Sequence, residues 1–373
     1  MKKILGYIVL LFCIIIYFIS LNQKLTNELI ATKLKSSSAF GSARQQYGDL
    51  YYFSFLSYFR RNHHIDYKSL EPPKCNSNGV INLYTVCDSY LWSYFDIKSY
   101  CNLNKLVVLK TNNEETLTTT LDTSKSNVLL IELAERNIGI LLNDTVYSNH
   151  IINPSLSTSG GVIAEQTAPT HNLHRFLDTI ERYKAILFND KVNTNLESNI
   201  WDLFLFSPIK EFKADMNYKI FNSFSSDIMI SDNGKQLFYR PTIDTTKKFY
   251  TISSFRHVSD KNIDDIVARL NNIYTMGKKM GFKKVYLSLI PNPVSILDPD
   301  YSGFTYNQLI QRIQSSPKLK MPFIDVFPIF NKMKGKVYQA SDSHWSFYGA
   351  NLWLEKFNAE LNETAHQKVA NAQ

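Results

Sequence analysis

The chain begins with an unbroken apolar run and then alternates short apolar runs with amphipathic stretches. Ile4–Leu21 contains no charged residue. At about 1.5 Å per residue it reaches roughly 27 Å, enough to cross a hydrocarbon core. A polar stalk follows, then an aromatic segment, Tyr51–Phe59, expected to be a helix lying on the domain or on the membrane. Pro72-Pro73 marks the start of the compact domain. Beyond it Ile81–Val86 reads as a strand and Leu106–Leu109 as a short apolar run. Val128–Leu133 lacks polar alternation, as in a strand buried on both faces. Lys284–Ile290 and Phe323–Phe327 read as later strands. Helices are expected at Tyr90–Cys101, Arg175–Phe188, Asn262–Met280 and Ala350–Leu361, with a further apolar turn or helix at Trp201–Phe206. In Asn262–Met280 the residues Ile263, Ile266, Val267, Leu270, Ile273 and Tyr274 share one face, and Gly281 occupies the stop position. Ser231-Asp232-Asn233-Gly234 between two short β-like runs signals a hairpin within 227–240.

Strands alternating with helices predict an α/β fold with a mostly parallel sheet covered on both faces. Function in such a sheet collects at the carboxyl ends of the strands. The expected organisation is an anchor over 1–24, a stalk and aromatic segment over 25–72, a catalytic-size domain over 73–362, and a frayed tail over 363–373.

Large residues Phe18, Ile19 and Leu21 occupy the end of the first run, where a cleaved signal peptide carries small ones. The run therefore reads as an uncleaved signal anchor. Lysines lie on both sides of it (Lys2 and Lys3 before, Lys24, Lys33 and Lys35 after), so charge orients it only weakly. A short tail inside and a large domain outside is the usual outcome. Phe12 before Cys13 is a poor lipidation context. In an exported domain the simplest disulfide joins Cys75 and Cys101, leaving Cys87 outside a bridge. Over 373 residues a net charge of +8 is a mild bias. It suits an acidic polymer or a membrane surface, and no Lys/Arg run marks a nucleic-acid interface. The 22 Tyr and 24 Phe are read mainly as core, with sugar stacking as the alternative.

Two stretches carry chemistry. Tyr338-Gln339-Ala340-Ser341-Asp342-Ser343-His344-Trp345 feeds a predicted helix and supplies a histidine and a carboxylate that can orient it. Cys87-Asp88-Ser89-Tyr90 follows the first strand, where a serine hydroxyl stands exposed at the sheet edge and helix N–H groups can hold an oxyanion. The plainer reading of Asp88 or Ser89 is a helix N-cap. Glu135-Arg136-Asn137 after the second long strand offers hydrogen-bond donors, or else a surface ion pair. Asn292, between two prolines, is a rigid loop position for substrate contact, or a turn residue. His171 and His174 lack a third ligand and are not read as a metal site; the remaining histidines have no constellation around them.

Cys87-Asp88-Ser89-Tyr90 resembles the Gly-Asp-Ser block of the SGNH hydrolase superfamily. Asp342-Ser343-His344-Trp345-Ser346 with Gly349-Ala350 resembles the Asp-x-His-Trp block of its alginate O-acetylation branch. Glu135-Arg136 and Pro291-Asn292-Pro293 look like the same branch, and Ser207-Pro208-Ile209-Lys210 through Gly234 to Leu237-Phe238 is similar in a less diagnostic way. Cys87 stands where the family has glycine, one residue separates Asp342 from His344 where the wider superfamily has two, and the serine precedes the Asp-x-His block. The resemblance implies an extracytoplasmic three-layer α/β/α sandwich transferring acetyl groups to polysaccharide hydroxyls, without a metal or other cofactor. Ser89 would be the nucleophile, His344 the base and Asp342 its orienter. The Ser89 N–H with Arg136 would form the oxyanion hole. Asn292, Tyr90 and Trp345 complete the substrate side, Trp345 as the residue shaping the base. Acetyl would come from a membrane-bound O-acyltransferase partner at the inner membrane. An acetylesterase on the same triad, or a non-catalytic envelope protein binding glycan or a partner, are the alternatives.

Overall fold

A computed structural model describes residues 2–21, 42–61, 79–91, 95–110, 121–139, 196, 206–246 and 252–370. The expected helix at Arg175–Phe188 and the Pro72-Pro73 boundary lie outside the described residues, as does most of Trp201–Phe206. The chain forms two compact units, one of Met1–His64 with Gly160–Phe224 and one of Ile65–Ser159 with Ser225–Gln373. The second stretch of the first unit thus groups with the N-terminal segment, not with the sheet whose strands flank it in sequence.

In the first unit the apolar run is one helix, Lys2–Leu21, apolar and long enough to span a membrane or to serve as a signal sequence. Tyr51–Phe59 is not one helix. Two short helices, Ala43–Tyr47 and Asp49–Ser54, precede a 3-10 turn at Ser57–Phe59. The break falls at Phe55, which takes a left-handed conformation (φ 50°) and ends the second helix.

The second unit is α/β. Five parallel strands run in the order β2-β1-β3-β6-β7, with β1 Ile81–Cys87, β2 Leu103–Lys110, β3 Ser126–Ala134, β6 Lys284–Ile290 and β7 Phe323–Ile324. A separate antiparallel hairpin pairs β4 (Ile228–Ile230) with β5 (Leu237–Tyr239), turning at Gly234 (φ 70°). Ser231 Oγ accepts N–H bonds from Lys235 (3.2 Å) and Gln236 (2.9 Å) inside that turn. The run around Leu106 is thus an edge strand of the main sheet, and Phe327 begins a helix instead of ending a strand.

Every residue of β3 is buried, which accounts for its unalternating sequence. Val128 and Leu130 point into one apolar cluster, Leu129, Ile131 and Leu133 into another. The first cluster takes Trp353, Leu354, Phe357 and Leu361 from the helix Phe347–Ala370. The second takes Ile263, Ile266, Val267, Leu270 and Ile273 from the helix Asp260–Lys279. That helix is capped by Ser259, whose hydroxyl accepts from Asn262 N–H, and closed by Gly281 at φ 99°. The C-terminal helix continues past Asn362, where fraying was expected, because Ala365 still packs into the core.

A further sequence expectation is corrected here. Tyr90–Cys101 is not helical among its described residues: a turn at Asp88–Leu91 leads to a 3-10 turn at Ile97–Ser99, set by Asp96 accepting from Lys98 N–H. Tyr90, Leu91, Phe95 and Tyr100 all enter one cluster, a spacing that no single helical face supplies.

The start of the C-terminal helix is held tightly. Ser346 donates its N–H to the Val337 carbonyl (2.8 Å) and its hydroxyl accepts from Gly349 N–H (3.1 Å). A Cβ at Gly349 would overlap the Val337 carbonyl oxygen and crowd Trp345. Gly349→Ala is therefore expected to destabilise the fold by about 1–3 kcal/mol, read as a lower urea midpoint of the detergent-solubilised chain; an unchanged midpoint would show that this approach is not needed.

Candidate active site

The carboxyl end of β1 delivers Ser89 on a tight turn closed by Leu91 N–H donating to the Asp88 carbonyl (3.2 Å). Asp88, weighed above as a helix cap, is buried and does more than cap. Its carboxylate accepts from the Tyr90 N–H (3.0 Å), from the Ala134 N–H (2.6 Å) and from the Asn137 side-chain amide (2.9 Å). It therefore ties the serine turn to the end of the neighbouring strand β3.

Opposite Ser89 stands His344. Its Nε2 lies 2.8 Å from Ser89 Oγ, and its Nδ1 lies 2.6 Å from Asp342 Oδ1. The same Asp342 oxygen accepts the His344 backbone N–H at 2.8 Å, fixing the carboxylate to the ring it orients. The side chains of His344 and Asp342 are 13% and 17% exposed and Ser89 is partly exposed, so all three members of the relay are half-buried and none is sealed from solvent. The Ser89 backbone N–H makes no hydrogen bond among the described residues and is available to an incoming oxygen. Because no helix starts at Ser89, that donor belongs to a turn, and the expected helix-terminus contribution is replaced by single N–H groups.

Three further sequence candidates prove to be supports. Tyr90 is fully buried and donates its hydroxyl to the Ser343 carbonyl at 2.6 Å. Burial holds its phenol well above the ordinary tyrosine range, so it remains a donor. Arg136 donates to the same carbonyl (3.4 Å), and its guanidinium sits 5.3 Å from the Tyr90 ring centre. Trp345 is fully buried, edge-on to Tyr90 at 5.1 Å and beside Phe95 and Trp353. Trp353 in turn donates its indole N–H to Ser288 on β6 (2.8 Å). These contacts press the His344 loop against the serine turn. Tyr90 and Trp345 have no surface to offer a substrate, which corrects their assignment to the substrate side.

Asn292 is corrected in the same way. It is fully buried, with its N–H on Glu135 Oε2 (2.8 Å) and its amide on Ser254 Oγ (2.9 Å). Ser295 completes this cluster, donating to Glu135 at 2.6 Å. Glu135 is thus no surface partner for Arg136. Burial raises its carboxyl, against the hydrogen bonds from Ser295 and Asn292.

The sequence reading missed Glu132, which is wholly buried on β3 and accepts the Asp88 N–H at 3.0 Å. Burial, reinforced by the Asp88 carboxylate, raises its carboxyl well above the ordinary 4.5. A glutamate inside an otherwise apolar strand was the available signal, since such a charge is rarely buried without a reason.

No family model, curated protein or solved structure matches this chain.

The raised Glu132 carboxyl has a measurable sign. The folded chain holds a proton there that the unfolded chain releases above about 4.5. Stability is therefore fullest below that value and falls as pH rises toward the folded one. Glu132→Gln keeps an acceptor for Asp88 N–H and removes this dependence. Its urea midpoint should gain on the parent's progressively from pH 5 to pH 8; a constant offset across that range would show that Glu132 ionises normally.

Proposed function

We propose that this chain is a membrane-anchored, extracytoplasmic serine O-acetyltransferase of the SGNH hydrolase type, built as that superfamily's three-layer α/β/α sandwich and related to its alginate O-acetylation branch. The observation carrying the reading is the continuous Ser89–His344–Asp342 relay, with 2.8 Å and 2.6 Å links, at the carboxyl end of a parallel sheet. Nucleophile, base and orienter within hydrogen-bond reach define covalent acyl transfer.

In the first half-reaction Ser89 Oγ attacks the acetyl carbonyl of the donor while its proton passes to His344 Nε2. The carbonyl oxygen gains negative charge beside the Ser89 N–H, while Arg136 stays behind the site on the Ser343 carbonyl and over the Tyr90 ring. Collapse expels the donor oxygen, which takes the proton back from His344, and leaves acetyl-Ser89. In the second, a polysaccharide hydroxyl yields its proton to His344 and attacks the acetyl ester, restoring the serine. Asp342 holds the ring and balances the imidazolium in both halves. Donor supply by a membrane-bound O-acyltransferase suits a chain whose N-terminal helix would act as a single-pass anchor in the inner membrane, with the catalytic unit in the periplasm. If water took the place of the sugar, the same residues would make an acetylesterase.

Ser89→Ala should lower turnover of an activated acetyl ester by about 10³-fold or more, with an unchanged urea midpoint. A fluorophosphonate probe should label the parent and not the variant. Retention of activity within tenfold, or equal labelling of both, would sink the mechanism and favour a non-catalytic role.

A further inference from the structure

The helix Ser207–Phe221 in the first unit departs from an ordinary surface helix. The residues it buries, Ser207 and Glu211, are polar. Glu211 accepts the Tyr51 hydroxyl at 2.7 Å and pairs with Arg60 at 3.1 Å. Asp215 accepts the Ser57 N–H at 3.1 Å, and Lys210 lies 4.3 Å from the centre of the Phe55 ring. Its apolar face points outward. Ile209, Phe212, Met216 and Ile220, spaced to share one stripe, are exposed, Ile209 and Phe212 at 68% and Ile220 at 61%. Lys213 and Lys219, both exposed, flank that stripe.

Water is a poor solvent for such a face. A row of large exposed apolar side chains marks an interaction surface. Bordering lysines whose heads reach past the apolar row suit a helix lying in a headgroup layer, where anionic lipids meet the charge and the acyl boundary takes the side chains. The same compact unit carries the Lys2–Leu21 helix, which has the length and composition to enter a bilayer. At about 1.5 Å per residue the outward stripe runs roughly 17 Å along the helix axis.

We propose that the Ile209–Phe212–Met216–Ile220 face of this helix lies in the lipid headgroup region of the membrane that holds the N-terminal helix. The inference rests on reading that helix as an anchor. It gives the unit a second membrane contact, one that would restrain the swing of a chain otherwise tethered at a single point.

The test uses the full chain in vesicles of phosphatidylethanolamine and phosphatidylglycerol, with an environment-sensitive fluorescent amino acid placed at position 212, 220 or 11 in turn. The lipids carry a nitroxide quencher either near the headgroup or deep in the acyl chain. Probes at 212 and 220 should be quenched at least twofold more by the shallow nitroxide than by the deep one, and shielded from iodide in the water. The probe at 11 should favour the deep nitroxide. If 11 responds as expected but 212 and 220 remain open to iodide, the anchor stands and the proposed contact is wrong. If 212 and 220 are shielded yet insensitive to both nitroxides, a protein covers the face and the lipid proposal is overturned. If 11 itself escapes the deep nitroxide, the anchor reading fails and the proposal falls with it.

Discussion

The Ser89–His344–Asp342 arrangement depends on one carboxylate that lies outside it. Asp88 gathers three N–H donors, from Tyr90, Ala134 and Asn137, and so binds the turn bearing Ser89 to the end of β3. Charge-assisted bonds of this kind are roughly twice as strong as neutral ones, and here they act in a buried setting where an unpaired carboxylate would be costly. The same turn is also held by its Leu91–Asp88 bond, by the Asp88 N–H on Glu132 and by the Tyr90 hydroxyl on the Ser343 carbonyl. A functional side chain needs such support to keep to a geometry defined within about half an ångström.

Burying Asp88 beside Glu132 raises an electrostatic problem, since two carboxylates in contact do not both ionise readily. Burial and the Asp88 carboxylate raise the Glu132 carboxyl well above its ordinary range, and Glu132 accepts the Asp88 N–H. A second buried acid braces the end of β6, where Glu135 receives Asn292 N–H and the Ser295 hydroxyl. Arg136 and Asn137, which follow Glu135, reach the histidine loop and the serine turn respectively. Cys87 fits this frame without strain. It ends β1 in regular pairing with β2, and its side chain is buried in the same cluster as Tyr90 and Trp345. In this chain the position that resembles the family's glycine has room for a side chain.

The histidine loop is placed from behind. The Ser343 carbonyl takes the Tyr90 hydroxyl and Arg136, Trp345 wedges between Tyr90 and Trp353, and Gly349 lets the C-terminal helix start against Val337. Residue 90 follows Ser89 and residue 343 precedes His344, so one hydrogen bond links the two halves of the relay. Each aromatic pair adds about 0.5–1.5 kcal/mol beyond its burial, and together they make the loop part of the core.

Much of this was legible in the amino-acid sequence, because it depends on local period and on residue chemistry. The unalternating run of β3, the face of Ile263 to Ile273 and the stop at Gly281 each express burial or backbone geometry within a few residues. The pairing of Ser89 with His344 and Asp342 was also inferable, since a serine after a buried strand and a His with its carboxylate on a helix-feeding loop complete one another chemically. What the sequence did not convey was the surroundings. Asp88 read as a cap because its partners Ala134 and Asn137 lie at the end of another strand and in the turn after it. Asn292, Tyr90 and Trp345 read as substrate-facing because no local pattern separates a side chain aimed at a ligand from one aimed at the core. The run after Tyr90 read as a helix because aromatic spacing alone does not show that all its rings enter one cluster. Period and chemistry act within a turn or two of chain, and the sequence determines them. Burial and partnership over more than 200 positions depend on how strands and helices stack, and only the tertiary structure decided those.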